Sequence, residues 1–233
     1  MAQLLLASTS TVYGSPYLSY LKPDIVEFFD TVQELVFIPY ARPNGISHDA
    51  YTAIAAEFFA SIGIAIRGLH TASNPQDLLE HAQGIFTGGG NTFLLLKMLY
   101  EQDLMQVLRS AVHLGARYMG TSAGSNIAGE SICTTNDMPI VYPPTFQAMG
   151  SIPYNINPHY LDPDPGSVHM GETRETRIKE FHTQQETPVI GLREGSYLRV
   201  TDQEIILKGP LAARYFEPGK SPEEKPAGSI FPL

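Results

Sequence analysis

The sequence has little cysteine, few positive charges and no long hydrophobic run, and each absence excludes a class of protein. Cys133 is the only cysteine among 233 residues, so an intrachain disulfide, the usual sign of a secreted protein, is excluded. We expect Cys133 to be a small buried side chain. No apolar stretch is long enough to cross a bilayer, and the opening residues, MAQLLLASTSTVYG, lack the positive segment of a signal peptide. We therefore expect a cytoplasmic protein that does not bind membranes.

The negative net charge of the chain indicates which classes of partner it could bind. The chain has 24 acidic and 15 basic residues and a net charge of −9, which argues against nucleic acid as a partner. An anionic substrate would need a local cationic pocket. Hydrophobic content of 43% and the absence of a linker or repeat predict one folded domain over residues 1–233. The sequence leaves a homodimer open.

The first two-thirds of the chain alternates short apolar runs with segments of helical periodicity. Strands are predicted at 3–7, 35–40, 64–67, 85–87 and 118–119, with helices between them. This order predicts an α/β fold with a largely parallel sheet flanked by helices on both faces. Later segments predict loops at 137–164, a helix at 171–183, a strand at 188–192, an antiparallel hairpin at 197–208 and a surface tail from 217.

Two glycine-containing turns follow predicted strands. Gly120-Thr121-Ser122-Ala123-Gly124 fits G-x-S-x-G, the turn that raises a nucleophilic serine above the carboxyl edge of a sheet. The alternative is a serine that only caps the next helix. Gly88-Gly89-Gly90-Asn91 follows a neighbouring strand, and the amides of Gly89 or Gly90, with that of Ala123, predict an oxyanion hole. The alternative is a plain turn or a phosphate-binding loop.

A serine nucleophile needs a base and an acid that orients the base. Among seven histidines, His159 is favoured because the rigid segment Asn157-Pro158-His159 suits a positioned side chain, with His169 as its rival. Glu194 follows a predicted strand and is one candidate acid. Asp137 is the other, and the sequence does not decide between them.

Six motifs together resemble those of the peptidase E family of α-aspartyl dipeptidases. They are Gly88-Gly89-Gly90-Asn91-Thr92, Gly120-Thr121-Ser122-Ala123-Gly124, Thr134-Thr135-Asn136-Asp137-Met138-Pro139, Asn157-Pro158-His159, Gly171-Glu172-Thr173-Arg174-Glu175 and Gly191-Leu192-Arg193-Glu194-Gly195. That family is similar in fold to class I glutamine amidotransferases. The segment from His159 to Gly171 departs from the family pattern, which bears on the substrate pocket.

The resemblance implies hydrolysis of dipeptides with an N-terminal aspartate, without metal or cofactor. By position, it implies Ser122 as nucleophile, His159 as base, and Glu194 or Asp137 as acid. An arginine fork suits the substrate carboxylate, with Arg174 first and Arg177 and Arg193 next. Asn91 and Glu172 are further candidates for substrate binding.

Two other functions compete with this one. One is cyanophycinase-like cleavage of β-Asp-Arg linkages on the same scaffold. The other is a non-catalytic module that binds a small metabolite at 88–90. A metal hydrolase is disfavoured, because the sequence has no H-E-x-x-H motif or close cluster of metal ligands.

Overall fold

The structure, a computed structural model, describes residues 2–166, 168 and 170–233. Its strands are β1 (Gln3–Ala7), β2 (Glu34–Ile38), β3 (Ala65–Gly68), β4 (Gly84–Thr87), β5 (Arg117–Thr121), β6 (Asn155–Pro158), β7 (Val189–Leu192), β8 (Tyr197–Val200), β9 (Ile205–Lys208), β10 (Ala213–Phe216), β11 (Glu223–Lys225) and β12 (Ile230–Phe231). Its α-helices are α1 (Lys22–Phe28), α2 (His48–Ala60), α3 (Pro75–Glu80), α4 (Thr92–Glu101), α5 (Met105–His113), α6 (Ala123–Asn126) and α7 (Arg174–Phe181). Short 3-10 helices cover Ser19–Leu21 and Leu69–Thr71.

The large sheet confirms the predicted α/β architecture. Its eight strands lie in the order β12-β9-β8-β1-β5-β4-β2-β3. The five strands from β1 to β3 in this order are parallel, whereas β8, β9 and β12 pair antiparallel. The β8–β9 pair is the hairpin predicted at 197–208. Because β1, β5 and β4 are adjacent and parallel, the loops that follow them meet at one edge of the sheet.

Helices cover both faces of this sheet. Phe28 of α1 and Phe59 of α2 belong to one hydrophobic cluster, whereas Leu95 of α4 and Leu108 of α5 belong to the other. All four side chains are fully buried. Burial of a large apolar side chain stabilises the fold by about 1.5–3 kcal/mol. Because each helix buries only one face, its apolar residues recur every three to four positions, and this periodicity is visible in the sequence.

Side-chain caps set the helix boundaries. Ser47 Oγ accepts a hydrogen bond from the Ala50 amide at the start of α2. Asn74 accepts one from the Asp77 amide at the start of α3, where Pro75 occupies the first turn. Both caps satisfy amides that have no partner within the helix.

A second sheet was not predicted. It contains β11, β10, β7 and β6 in that order, with β6 and β7 parallel. The prediction of loops throughout 137–164 is therefore wrong at β6. The tail is also more than a surface segment, because β11 pairs with β10 and β12 pairs with β9. The β6–β7 and β9–β12 pairings join separate parts of the chain, which local sequence patterns do not encode, whereas β10 and β11 are consecutive short strands that gave no clear apolar signal.

Two further expectations can be compared with the structure. Cys133 is exposed, so its predicted burial is wrong; it lies in an irregular segment and not in a strand. None of the helices in the described part of the chain has the length and apolar content that a membrane span requires.

Candidate active site

Ser122 lies in a strained turn between β5 and α6. Its backbone has φ 52° and ψ −110°, a conformation that residues other than glycine rarely adopt. The Ser122 amide donates to the Ala7 carbonyl at 3.0 Å, which ties the turn to β1. A methyl group on Gly124 would collide with the carbonyl of Thr87 in β4, so this position requires glycine. The Ser122 hydroxyl does not cap α6, which removes the alternative of a purely capping serine.

His159 follows β6 and faces the serine. Its Nε2 lies 2.9 Å from Ser122 Oγ, the distance of a hydrogen bond. Its own backbone is left-handed, with φ 54°. The His159 amide donates to the fully buried Ser8 Oγ at 2.9 Å. This bond fixes the histidine backbone to the loop that follows β1.

Glu194 lies on the other side of the imidazole. Its Oε1 is 2.7 Å from His159 Nδ1. The parallel pairing of β6 with β7 places Pro158 opposite Leu192, so the residues that follow both strands emerge side by side. The two side chains are 38% and 51% exposed, so the pair is accessible to solvent. Ser122, His159 and Glu194 thus form a continuous hydrogen-bonded series.

Asp137, the other candidate acid, has different partners. Its Oδ2 accepts hydrogen bonds from the Thr92 amide at 2.7 Å and from Thr135 Oγ1 at 3.1 Å. A carboxylate at the start of α4 is favoured by the helix dipole, which accounts for this placement. The rival base His169 lies outside the described residues.

The glycine-rich loop runs beside the serine. A Cβ built on Gly89 would lie 3.1 Å from Ser122 Cβ, so the backbone of Gly89 passes close to the nucleophile. Gly90 has φ +148° and lies against the carbonyl of Ala41. Tyr51 Oη donates to the Gly89 carbonyl at 3.3 Å, which ties the loop to α2. Together with Ala123 at the start of α6, these backbones surround the space next to Ser122.

Asn91 has a structural role at the end of this loop. Its Oδ1 accepts from the Leu94 amide at 3.0 Å and so caps α4. Its Nδ2 donates to the Met138 carbonyl at 2.9 Å. Asn91 therefore joins the glycine-rich loop to the segment that contains Asp137.

Arg174 lies at the start of α7 in a cleft of about 380 Å³ that also includes Glu172 and Arg177. Burial and the nearby Arg177 lower the pKa of Arg174, and the negative charge of Asp137 partly opposes them. An arginine stays protonated under such a shift, so Arg174 and Arg177 bring positive charge to a cleft that the carboxylates of Asp162, Asp164 and Glu172 also line. Arg193, the third candidate for a substrate carboxylate, is already bound to Asp162 and Glu224.

Sequence reasoning missed Ser8. Its hydroxyl accepts from His159 and donates to the Leu192 carbonyl at 2.7 Å, so it connects the large sheet to both strands that precede the base and the acid. The available signal was its position directly after the buried strand β1, at the edge where ligands bind in α/β sheets.

The arrangement defines a class of protein. A serine hydroxyl on an imidazole that is oriented by a carboxylate is the site of a serine hydrolase, in which the imidazole activates the hydroxyl. Within the part of the chain that the structure describes, no group of three or more His, Cys, Asp or Glu residues could hold a metal ion.

Comparison with known proteins identifies the family. Residues 4–208 match the family model described as peptidase family S51, and the chain belongs to this family of serine peptidases. It is 48% identical to peptidase E of Streptomyces coelicolor over 226 residues, which cover 97% of this chain and 92% of that protein. It is 45% identical to a probable alpha-aspartyl dipeptidase of Drosophila melanogaster over 224 residues, which cover 95% of this chain and 92% of that protein.

Solved structures share the fold. A putative peptidase E protein from Listeria monocytogenes superposes with a TM-score of 0.69 at 21% identity, covering 90% of this chain and 99% of that chain. A peptidase from an acI-B1 actinobacterium gives a TM-score of 0.73 at 15% identity, covering 100% of this chain and 97% of that chain.

Proposed function

We propose that the protein is a serine dipeptidase that hydrolyses dipeptides with an N-terminal aspartate through an acyl-enzyme on Ser122. The observation that carries this proposal is the series from Ser122 Oγ through His159 to Glu194, with distances of 2.9 and 2.7 Å. The similarity to a probable alpha-aspartyl dipeptidase supports the substrate class. The guanidinium of Arg174, which can form a bidentate pair with a carboxylate, supports an acidic substrate side chain.

The reaction proceeds in two steps. His159 Nε2 accepts the hydroxyl proton as Ser122 Oγ attacks the carbonyl carbon of aspartate, and amides of Gly89 or Gly90 and of Ala123 stabilise the oxyanion. The C–N bond breaks, and His159 donates the proton to the leaving amine. Water then attacks the ester and gives a proton to His159, which returns it to Ser122 as aspartate leaves. Glu194 orients the imidazole and stabilises its protonated form.

The nucleophile is tested with Ser122→Ala. We expect kcat/KM for Asp-Leu to fall by a factor on the order of 10⁴ to 10⁶, as for loss of a nucleophile in other serine triads. Ser110→Ala, which changes an exposed serine of α5, is the control and should retain full activity. Stoichiometric labelling by a fluorophosphonate should occur at Ser122 and should be lost only in the first variant. Hydrolysis of Asp-Leu by Ser122→Ala at the parental rate would exclude the mechanism.

The acid is tested by comparing Glu194→Gln with Asp137→Asn. Because Glu194 contacts the imidazole and Asp137 contacts the start of α4, we expect the larger fall in kcat in the Glu194 variant. A larger fall in kcat in the Asp137 variant would assign the orienting role to Asp137.

The substrate class is tested with Asp-Leu and its neutral isostere Asn-Leu. We expect the wild-type protein to prefer Asp-Leu and Arg174→Met to lose most of that preference, because a bidentate pair with the carboxylate is lost. Arg177→Met, one turn further along α7, changes the second candidate in the same cleft, and we expect it to lose less of the preference. A greater loss in the Arg177 variant would move the binding role to that residue, and faster cleavage of β-Asp-Arg than of Asp-Leu would refute the α-aspartyl assignment.

We also propose that residues 1–233 act as one cytoplasmic domain with the arrangement of class I glutamine amidotransferases. The site supports a single domain, because Ser122 follows the large sheet whereas His159 and Glu194 follow the small one. Light scattering tests whether the protein is a homodimer.

A further inference from the structure

All five N–H donors of the Arg193 guanidinium form hydrogen bonds to acceptors within the protein. Nε and Nη2 donate to the two carboxylate oxygens of Asp162, each at 2.7 Å. Nη1 and Nη2 donate to Glu224 at 3.0 and 2.8 Å, and Nη1 also donates to the Ala212 carbonyl at 2.6 Å. Since a guanidinium has five N–H donors, none is left over for a substrate. The side chain is only 16% exposed.

This side chain lies next to both the base and the acid. Glu194, which contacts His159, is the next residue along the chain. The ring of Tyr160, two residues after the end of β6, faces the guanidinium, with 5.6 Å between the ring centroid and the guanidinium carbon. The Tyr160 amide donates to the Leu192 carbonyl at 2.9 Å. Arg193 therefore contacts the ends of both strands from which the catalytic pair emerges.

The same arginine is connected to the substrate cleft by two routes. Asp162 itself lines the cleft that contains Arg174. By the second route, Glu224 accepts from Arg214 at 3.2 Å, and Arg214 donates to Glu175 at 3.1 Å. Glu175 follows Arg174 in the first turn of α7. Alternating charges thus join Arg193 to Asp162 in the cleft and to Glu175, the residue next to Arg174.

We propose that Arg193 is a positioning residue that holds the base–acid pair of His159 and Glu194 in register with the cleft that contains Arg174. The choice of Asp-Leu as the assay substrate rests on the proposed function, whereas the contacts of Arg193 do not depend on it. Paired hydrogen bonds from a planar guanidinium fix the angle as well as the distance of each carboxylate. Without the arginine, Asp162 and Glu224 would lose the cation that they share and would repel each other, and the segment after His159 would lose its tie to the end of β7. A displacement of about 1 Å in a catalytic group costs on the order of 100-fold in rate.

The test compares Arg193→Met with Asp162→Asn. In Arg193→Met we expect kcat for Asp-Leu to fall by about 10- to 100-fold and KM to rise, because both the pair and the cleft shift. Asp162→Asn weakens the tie to the segment after His159 but keeps the bonds of Arg193 to Glu224 and to the Ala212 carbonyl, so we expect KM to rise and kcat to fall less than in Arg193→Met. Arg193→Lys keeps the charge but loses the planar fork, and we expect it to recover only part of the lost kcat.

Arg199→Met is the matched control. Arg199 is also a partly buried arginine stacked on an aromatic ring, 4.4 Å from the centroid of Phe28, but it lies on β8 away from the cleft. We expect this variant to lose stability without a change in kcat or KM. Circular dichroism checks that every variant is folded at the assay temperature, and Arg193→Lys carries the test if Arg193→Met does not fold.

A second readout separates this inference from the proposed substrate. A small fluorophosphonate reacts with Ser122 without using the aspartyl cleft, so its labelling rate reports the catalytic pair alone. We expect that rate to fall in Arg193→Met and to fall less in Asp162→Asn, which keeps the bonds of Arg193 to Glu224. Wild-type protein that is labelled but does not cleave Asp-Leu would refute the proposed substrate only. Folded Arg193 variants with wild-type labelling and kcat would refute the positioning role.

Discussion

Ser8→Ala is the sharpest test of how the histidine is held. The serine hydroxyl is fully buried and makes two hydrogen bonds, accepting from the His159 amide and donating to the Leu192 carbonyl. The Leu192 carbonyl also accepts from the Tyr160 amide, so it keeps a partner after the substitution. The His159 amide, in contrast, loses the acceptor that the structure gives it. The change removes one oxygen atom and adds no new group to the core.

The expected loss of stability follows from the His159 amide, which loses its acceptor, because the Leu192 carbonyl keeps a donor. A buried amide left without an acceptor costs about 1–3 kcal/mol, and we expect the free energy of unfolding to fall by this amount. The left-handed backbone of His159 is disfavoured by about 1–2 kcal/mol and persists because its surroundings fix it. If the loss of Ser8 lets this residue relax, the active geometry becomes less populated by a factor of about 5–30. We therefore expect kcat/KM to fall by about that factor.

Two measurements on the same protein check the prediction. Urea unfolding gives the change in stability, and hydrolysis of Asp-Leu gives kcat/KM under conditions in which the variant is folded. Thr52→Val is the control, because it removes a partly buried hydroxyl whose hydrogen bond to the His48 carbonyl lies within α2. It should reduce stability and leave kcat/KM unchanged. If Ser8→Ala lost stability but kept kcat/KM within twofold of wild type, the claim that Ser8 positions His159 would be wrong.

Two other predictions concern the turn and the acidic groups. Gly124→Ala places a methyl group against the Thr87 carbonyl, and we expect the free energy of unfolding to fall by about 1–3 kcal/mol or more in urea titrations, together with a loss of activity; unchanged stability would show that the turn has room for a side chain. Hydrogen bonds from Arg193 hold the pKa values of Asp162 and Glu224 below their ordinary range. The unfolded chain therefore binds protons first as the pH falls, so the stabilisation is complete near neutral pH and is lost progressively below about pH 5. Urea titrations at several pH values should show this loss, and the slope should be smaller in Arg193→Met; an identical slope would contradict the assignment.

The nucleophile turn was predictable because its causes are local. The buried strand β5 ends just before Ser122, and the helix α6 begins just after it. Steric contact with the Thr87 carbonyl alone requires glycine at position 124. The helices of the large sheet were predictable for a similar reason, since their apolar periodicity reflects burial of one face.

The carboxylate that contacts His159 was not predictable, because both candidates, Glu194 and Asp137, follow segments that look alike in the sequence. Glu194 contacts the base because β6 pairs with β7 in a second sheet, and Asp137 is bound to the start of α4. The pairing joins segments more than 30 residues apart, and its free energy comes from contacts that exist only in the folded chain. The strand β12 escaped prediction for a similar reason, because its partner is β9 and not the strand before it.

The sequence by itself determined the α/β order of elements, the strained serine turn and the set of residues from which a base and an acid would come. Only the tertiary structure decided that Glu194 contacts the imidazole, that Ser8 accepts a hydrogen bond from the His159 amide and that Arg193 is bound to Asp162 and Glu224. Patterns along a chain report burial and backbone conformation, whereas the partner of a charged group depends on which distant strands pair.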